Sequence, residues 1–187
     1  MSHLTEQAIQ QAFINMLAER PLDKITVREI AQTCGISRNT FYYHYHDVYD
    51  LLDKMFAVEE ERMLADMQGI ATMKQGLVEA TRFAVENRRA IYHIYSSVSR
   101  DMLSRYLYKS ASIYMRRYIV GQDEATELTE EELDDLVFLL ASMVEGAVIN
   151  IMREGLSLRV EDLIENATRL LDGTVKLAIE NCRKSKR

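Results

Sequence analysis

The chain has 187 residues, 48% hydrophobic and 28% charged, a composition that folds into a globular core and excludes a disordered chain. One proline and seven glycines are too few to punctuate a β-sandwich or barrel, so the expected fold class is all-α. The formal net charge is −6, and residues 1–47 hold four Lys/Arg against five Asp/Glu, which excludes a protein that coats nucleic acid through a broad positive field but leaves room for a small phosphate-contacting surface.

The first helical pattern runs from Thr5 to Glu19, where Ala8, Ile9, Ala12, Phe13, Met16 and Leu17 recur every three or four residues before Pro21 stops it. Thr26-Val-Arg-Glu29 is a capping box that opens a short helix from Val27 to about Thr33. Gly35 supplies a turn that tolerates positive φ, and Ser37 can cap a third helix from Arg38 to about Tyr45. Val27, Ile30, Ala31, Ile36, Thr40 and Phe41 are spaced to bury a small core.

Two short helices joined by a Gly-containing turn form either a plain helical hairpin or a helix-turn-helix that reads DNA. The second helix favours the latter. Ser37, Arg38, Asn39, Thr40, Tyr42, Tyr43 and His44 set short hydrogen-bonding groups and aromatic hydroxyls at its start, where a solvated face would carry Glu and Lys. The stretch ITVREIAQTCGISRNTFYYHYHDVYDLL resembles the DNA-binding signature of TetR-family transcriptional regulators, and the resemblance covers roughly residues 5–56.

That resemblance implies an all-helical homodimer with about nine helices: a reading head at residues 1–46 and an effector-binding and dimerisation domain at 47–187. By the resemblance and by chemistry, Thr26 offers its hydroxyl or helix amides to a phosphate. Arg28 reaches a phosphate or guanine, or else pairs with Glu29 or Asp23. Arg38 and Asn39 are the candidates for base readout. Ser37 and Thr40 assist, unless Thr40 faces the core, while Tyr42, Tyr43 and His44 match phosphate-contacting positions. Phe41 and Tyr45 are core by spacing. Where the family often carries a Lys, this chain reads His46-Asp47-Val48, with Asp47 either a helix cap or a charge that repels phosphate.

A long helix follows, from Asp47 to Gln68, then Gly69 and helices near 73–86, 88–96 and 99–120. Tyrosines crowd positions 92–118. Phe83, Tyr92, His93, Tyr95, Met102, Tyr106 and Tyr114, with Met115 beside them, either line an effector pocket with polar tips or pack as core. Arg88, Arg89, Arg116 and Arg117 either meet an anionic effector or form solvated faces. After a linker at 121–129, Thr129-Glu-Glu-Glu132 caps a helix to about Glu154, and a last helix runs from Val160 to Cys182. These two long helices hold more apolar surface than one protomer needs, so a two-fold four-helix interface is expected. The tail from Arg183 to Arg187 is a solvated end.

No run approaches the ~18 apolar residues of a membrane span. The N-terminus lacks the pattern of a signal peptide, and Cys34 and Cys182 make no metal or disulfide framework, so a cytoplasmic protein is expected. His44 and His46 diverge on a helix, and no phosphate loop or nucleophile motif appears, so neither catalysis nor a metal or other cofactor is expected. The functional expectation is a DNA-binding regulator, most often a repressor, that reads a palindromic operator and responds to a small molecule. The alternative is an adapter or co-regulator that keeps the helix-turn-helix but acts through a protein partner.

Overall fold

The computed structural model describes residues 2–65, 70–97, 99–122, 125–126, 128–154, 160–171 and 173–185. The protein is all-α. Among the described residues, α1 (Ser2–Glu19) and a 3-10 turn (Leu22–Lys24) precede α2 (Val27–Cys34), α3 (Arg38–His44) and α4 (Val48–Ala65). Then come α5 (Met73–Glu86), α6 (Arg88–Tyr95), α7 (Arg100–Val120), α8 (Glu130–Arg153), α9 (Val160–Leu170) and α10 (Thr174–Ser185). The expected break at Gly69 and residues 66–68, parts of the 121–129 linker and the last two residues lie outside the described residues.

Among the described residues ten α-helices stand, in keeping with the about nine expected, the last expected helix being divided in two. Gly173 takes φ 73, a left-handed conformation that ends a helix and that other L-residues adopt only at a cost. Thr174 restarts the chain, its hydroxyl donating to the Leu171 carbonyl at 2.7 Å. The helix from Val160 to Cys182 is thereby corrected to α9 and α10.

The chain forms two compact units. The first holds Met1–Arg62 together with Glu86–Ser104, so it contains the three helices of the reading head, most of α4, and α6. In it α1 packs against both α2 and α6. Ile9, Phe13 and Leu17 of α1 are fully buried, as are Ile91 and Ile94 of α6, with Ala90 beside them. The Nδ1 of His93 donates to the Leu17 carbonyl at 2.6 Å, which supplies a partner to one of the last α1 carbonyls that has none within its own helix. The Cys34 thiol donates to the Ala8 carbonyl and ties the end of α2 to α1, and burial pushes that thiol's pKa up.

The second unit holds Met63–Val85 and Arg105–Arg187. Here the buried Ser110 hydroxyl of α7 donates to the Ala80 carbonyl of α5 at 3.0 Å. Gly76 lets the Met115 side chain lie against α5, since a Cβ at that glycine would stand 2.8 Å from Met115 Cε. Arg116 of α7 bridges to Glu130 and Asp134 of α8, each at 2.9 Å. The expected capping box at Thr129 and Glu132 starts α8. One face of α8 is buried through Leu133, Val137, Ala141, Val144, Val148 and Ile151. Its other face leaves Phe138, Leu139 and Met143 exposed. By length and composition α8 is apolar enough to cross a membrane, and 33% of its most apolar stretch is buried inside the chain.

The turn between α2 and α3 rests on Gly35, at φ 65 and ψ 29. Its N–H donates to Gln32 O and the Ile36 N–H to Ala31 O, the paired bonds of a Schellman ending. A Gly35→Ala change is expected to lower the unfolding free energy by about 1–2 kcal/mol through backbone strain alone. An added Cβ there meets nothing within 4 Å. Urea denaturation followed by circular dichroism checks this; an unchanged midpoint would show that the turn does not require its left-handed residue.

Candidate nucleic-acid interface

The interface is built on α3, seven residues capped by Ser37, whose Oγ accepts the Thr40 N–H at 3.0 Å. The Ser37 and Thr40 hydroxyls also share a hydrogen bond of 2.9 Å, so Thr40, half-buried, serves the cap. Phe41 is 0% exposed and Tyr45, which ends the helix, is nearly so. The opposite face is open. Arg38, Asn39, Tyr42 and Tyr43 are all exposed, and 38/42 and 39/43 are neighbours at i,i+4 spacing. Of the two tyrosines Tyr43 is the more exposed, at 81%. Among the described residues, Arg28, Arg38 and Asn39 make no side-chain hydrogen bond or ion pair, which leaves their donors free for a ligand.

Two other expected residues have their polar groups engaged within the unit, Thr26 at an exposed helix start and His44 against α1. The Thr26 hydroxyl accepts the Glu29 N–H at 3.3 Å and donates to the Glu29 carboxylate at 2.7 Å, while the Thr26 N–H donates to the same oxygen at 3.0 Å. Arg20 holds the other Glu29 oxygen at 2.9 Å. What α2 still offers a phosphate is its exposed Arg28 and the first amides of the helix. His44 is turned to α1: its ring is 6% exposed and its Nδ1 lies 3.0 Å from Glu6 Oε1. The edge of the Tyr43 ring stands against it.

The His46-Asp47-Val48 segment caps α4. Asp47 Oδ1 accepts the N–H groups of Tyr49 and Asp50, each at 2.8 Å, so this exposed carboxylate caps the start of α4. Asp50 in turn accepts the His46 N–H at 2.8 Å and pairs with Lys54 at 3.1 Å. Lys54 donates to the His44 carbonyl at 2.9 Å and lies over the Tyr45 ring. Sequence reading missed this lysine because it enters from two turns along α4. Its spacing from Asp50, four residues, was the available signal. Tyr45 is further pinned by Gln10, whose Nε2 donates to its hydroxyl at 3.2 Å.

The first unit thus presents a capped helix pair with an open basic and aromatic face, and the comparisons with known proteins agree. Residues 9–55 match the family described as bacterial regulatory proteins, tetR family, and residues 71–173, more than half of the chain, match a family described as transcriptional regulator C-terminal region. The chain belongs to the TetR family of transcriptional regulators. A solved structure named dihydroxyacetone kinase operon activator DhaS is similar at 19% identity with a TM-score of 0.75, over 92% of this chain and 97% of that one. This likeness shows the fold. No curated protein matches. The TetR-family head is a DNA-binding helix-turn-helix, and the geometry above is that motif.

The residues expected to line an effector pocket are divided between the units. Tyr92, His93, Tyr95 and Met102 belong to the first, where His93 ties α6 to α1 and Arg100 stacks on Tyr95 at 4.5 Å. Phe83, Tyr106 and Tyr114 belong to the second, where Phe83 and Tyr106 meet edge to face and Arg117 lies over the Tyr114 ring. The second unit of this TetR-family chain does contain an apolar cavity of about 210 Å³. Its walls are Met73, Leu77 and Thr81 of α5, Met115 of α7, Leu140, Met143, Val144, Ala147, Val148 and Ile151 of α8, and Leu163, Ile164, Ala167 and Leu171 on and just after α9. Of the expected residues Met115 lines it, and Phe83, Tyr92, His93, Tyr95, Met102, Tyr106 and Tyr114 do not. Arg116, a candidate for an anionic effector, is spent on Glu130 and Asp134.

Two carboxylates of the head have pKa values below their ordinary range. For Glu29 the leading cause is the Thr26 hydroxyl bond, followed by the Thr26 N–H. For Asp50 partial burial opposes the charge, but the His46 N–H and Lys54 outweigh it. Folded values below unfolded ones stabilise the fold above the ordinary carboxylate range, about pH 4–4.5, and that contribution is lost as pH falls through the lowered folded values. The urea midpoint is therefore expected to hold from neutral pH to about pH 5 and to fall below it, with a shallower fall in Asp50→Asn. An Asp50→Asn profile parallel to wild type would show that this carboxylate does not carry the acid limb.

Proposed function

We propose that this TetR-family regulator reads a palindromic operator as a homodimer and acts as a repressor, with a small molecule in the second unit modulating its grip. The observation that carries the reading is the open face of α3, where Arg38, Asn39, Tyr42 and Tyr43 stand exposed on one side of a helix whose other side is buried. Arginine and asparagine pair bidentately with guanine and adenine in a major groove, and tyrosine hydroxyls suit phosphates. Ser37 and Thr40 hold the helix start, Arg28 and the α2 amides meet the backbone, Thr26 caps α2 and His44 braces α3 against α1.

Dimerisation is supported by unburied apolar surface. Phe138, Leu139 and Met143 on α8 are at least half exposed, as are Leu170 and Leu177 on α9 and α10. Gly146 lies on the same side of α8 as Phe138, and a Cβ there would meet nothing in the protomer, which suits close approach of a second helix. A two-fold contact between such faces covers both copies at once and supplies the symmetry that two half-sites require. Repression is the simpler mode, since a dimer seated in the groove excludes polymerase wherever its site overlaps a promoter. DhaS is named an activator, and the same head serves either sign of control. The use of Asp47 as the α4 cap supports DNA binding over an adapter that acts through a protein partner.

Fluorescence anisotropy against DNA flanking the gene tests the reading. Wild type is expected to outcompete random DNA, and Arg38→Ala and Asn39→Ala are each expected to lose about 1–3 kcal/mol of discrimination at one base pair. Variants that bind every site as wild type does would overturn the assignment of α3. A promoter reporter gives the sign: expression that rises on deletion of the gene supports repression, and expression that falls makes the protein an activator.

Sedimentation equilibrium tests the assembly. The wild-type chain is expected to be a dimer, and the double change Leu139→Glu, Met143→Glu a helical monomer. A monomeric wild type would exclude the proposed interface.

A further inference from the structure

The walls of the second unit's cavity carry information about what would fill it, and the inference rests on the effector reading above. We propose that the cavity takes an uncharged, essentially hydrocarbon molecule of roughly eight to ten heavy atoms, an engineered cavity of about 150 Å³ being known to hold benzene. The volume here is about 210 Å³. Among the described residues, the lining contains no acidic, basic, histidine or amide side chain, and Thr81 supplies the one side-chain oxygen. That hydroxyl is 2.8 Å from the Leu77 carbonyl and donates to it, so its proton is already used. Most of the remaining wall residues lie within helices, where backbone groups are bonded along the helix axis.

A charged molecule entering this space would give up its hydration and meet no counter-charge, and even a hydroxyl would lose most of its hydrogen bonds. An apolar molecule gives up nothing comparable and gains contact with side chains from four helices. The space is partly enclosed: Leu77, Met115, Val144 and Val148 are buried, while Met143 and Leu163 of its walls are exposed. Met73, Met115 and Met143 give the walls flexible thioethers that adapt to an occupant's outline. Met115 reaches its place because Gly76 offers no side chain, so the cavity's shape depends on a close α5–α7 approach.

The test titrates the full-length protein with p-xylene and with 4-methylbenzoate, the same ring with a carboxylate in place of one methyl group. Binding is read by calorimetry and by the ¹³C-methyl resonances of the methionines. The expected result is that p-xylene moves the Met73, Met115 and Met143 resonances and raises the melting temperature. 4-Methylbenzoate should bind at least a hundredfold more weakly. Ala147→Phe, which fills the cavity, should abolish the p-xylene response. Equal binding of the two compounds overturns the class. Unmoved methionines in the wild type also overturn it and mean that the protein's own side chains or a second copy fill the space. A p-xylene response that persists in a folded Ala147→Phe protein overturns the site. The effector reading fails separately: if p-xylene saturates the cavity and operator affinity does not change, the chemical class stands and control by this cavity does not.

Discussion

A helix of seven residues is too short to persist alone, since isolated helices below about 12–15 residues are marginal in water. The reading face of this protein is such a helix, and the first unit is organised around keeping it in place. Ser37 caps its start, Phe41 anchors it in the core, and Tyr45 at its end is held by Gln10. His44 reaches back to Glu6 on α1, and Lys54 from α4 takes the His44 carbonyl. α1 is in turn backed by α6, through buried isoleucines and the His93 bond. Side chains that look outward in the sequence thus divide into those left exposed and those that hold the helix.

The same division resolves the charge problem. A chain with a net charge of −6 is a poor nonspecific ligand for DNA, yet the carboxylates near the reading face are turned to internal use. Glu29 is bound by Thr26 and Arg20, Asp47 by the first amides of α4, Asp50 by His46 and Lys54, and Glu6 by His44. The donors of Arg28, Arg38 and Asn39 are not so engaged among the described residues. Local potential at the face is therefore set by the unspent cations rather than by the protein's total charge. In our reading, specificity comes from few contacts, and nonspecific affinity is kept low by the remainder of the chain.

In the second unit α8 is used on two sides. Val144 and Val148 on one side line the cavity, while Phe138 and Leu139 on the other are exposed. Met143 lies between, lining the cavity and half exposed. In our reading the two sides serve the effector and the second copy. A packed helix moves as a rigid element, so a change in cavity occupancy and a change at the dimer surface would be coupled without any intermediate pathway.

What the sequence determined by itself was whatever depends on residues close in the chain. The capping boxes at Thr26/Glu29 and Thr129/Glu132, the left-handed Gly35, the Ser37 cap, the Asp47 cap and the burial of Phe41 and Tyr45 were all legible, because each is settled within a few residues by backbone donors or helical period. The family was legible for the same reason, its signature being one contiguous stretch. Only the tertiary structure decided which polar side chains remain free. His44 and His93 look like ligand contacts until Glu6 and the Leu17 carbonyl, 38 and 76 residues away, claim them. The tyrosine-rich segment looked like a pocket because helical spacing reports which face is apolar, not what packs against it. A cavity is the space that distant helices fail to fill, and here α5, α7, α8 and α9 leave it among methionines and branched aliphatic side chains that no local pattern distinguishes from core.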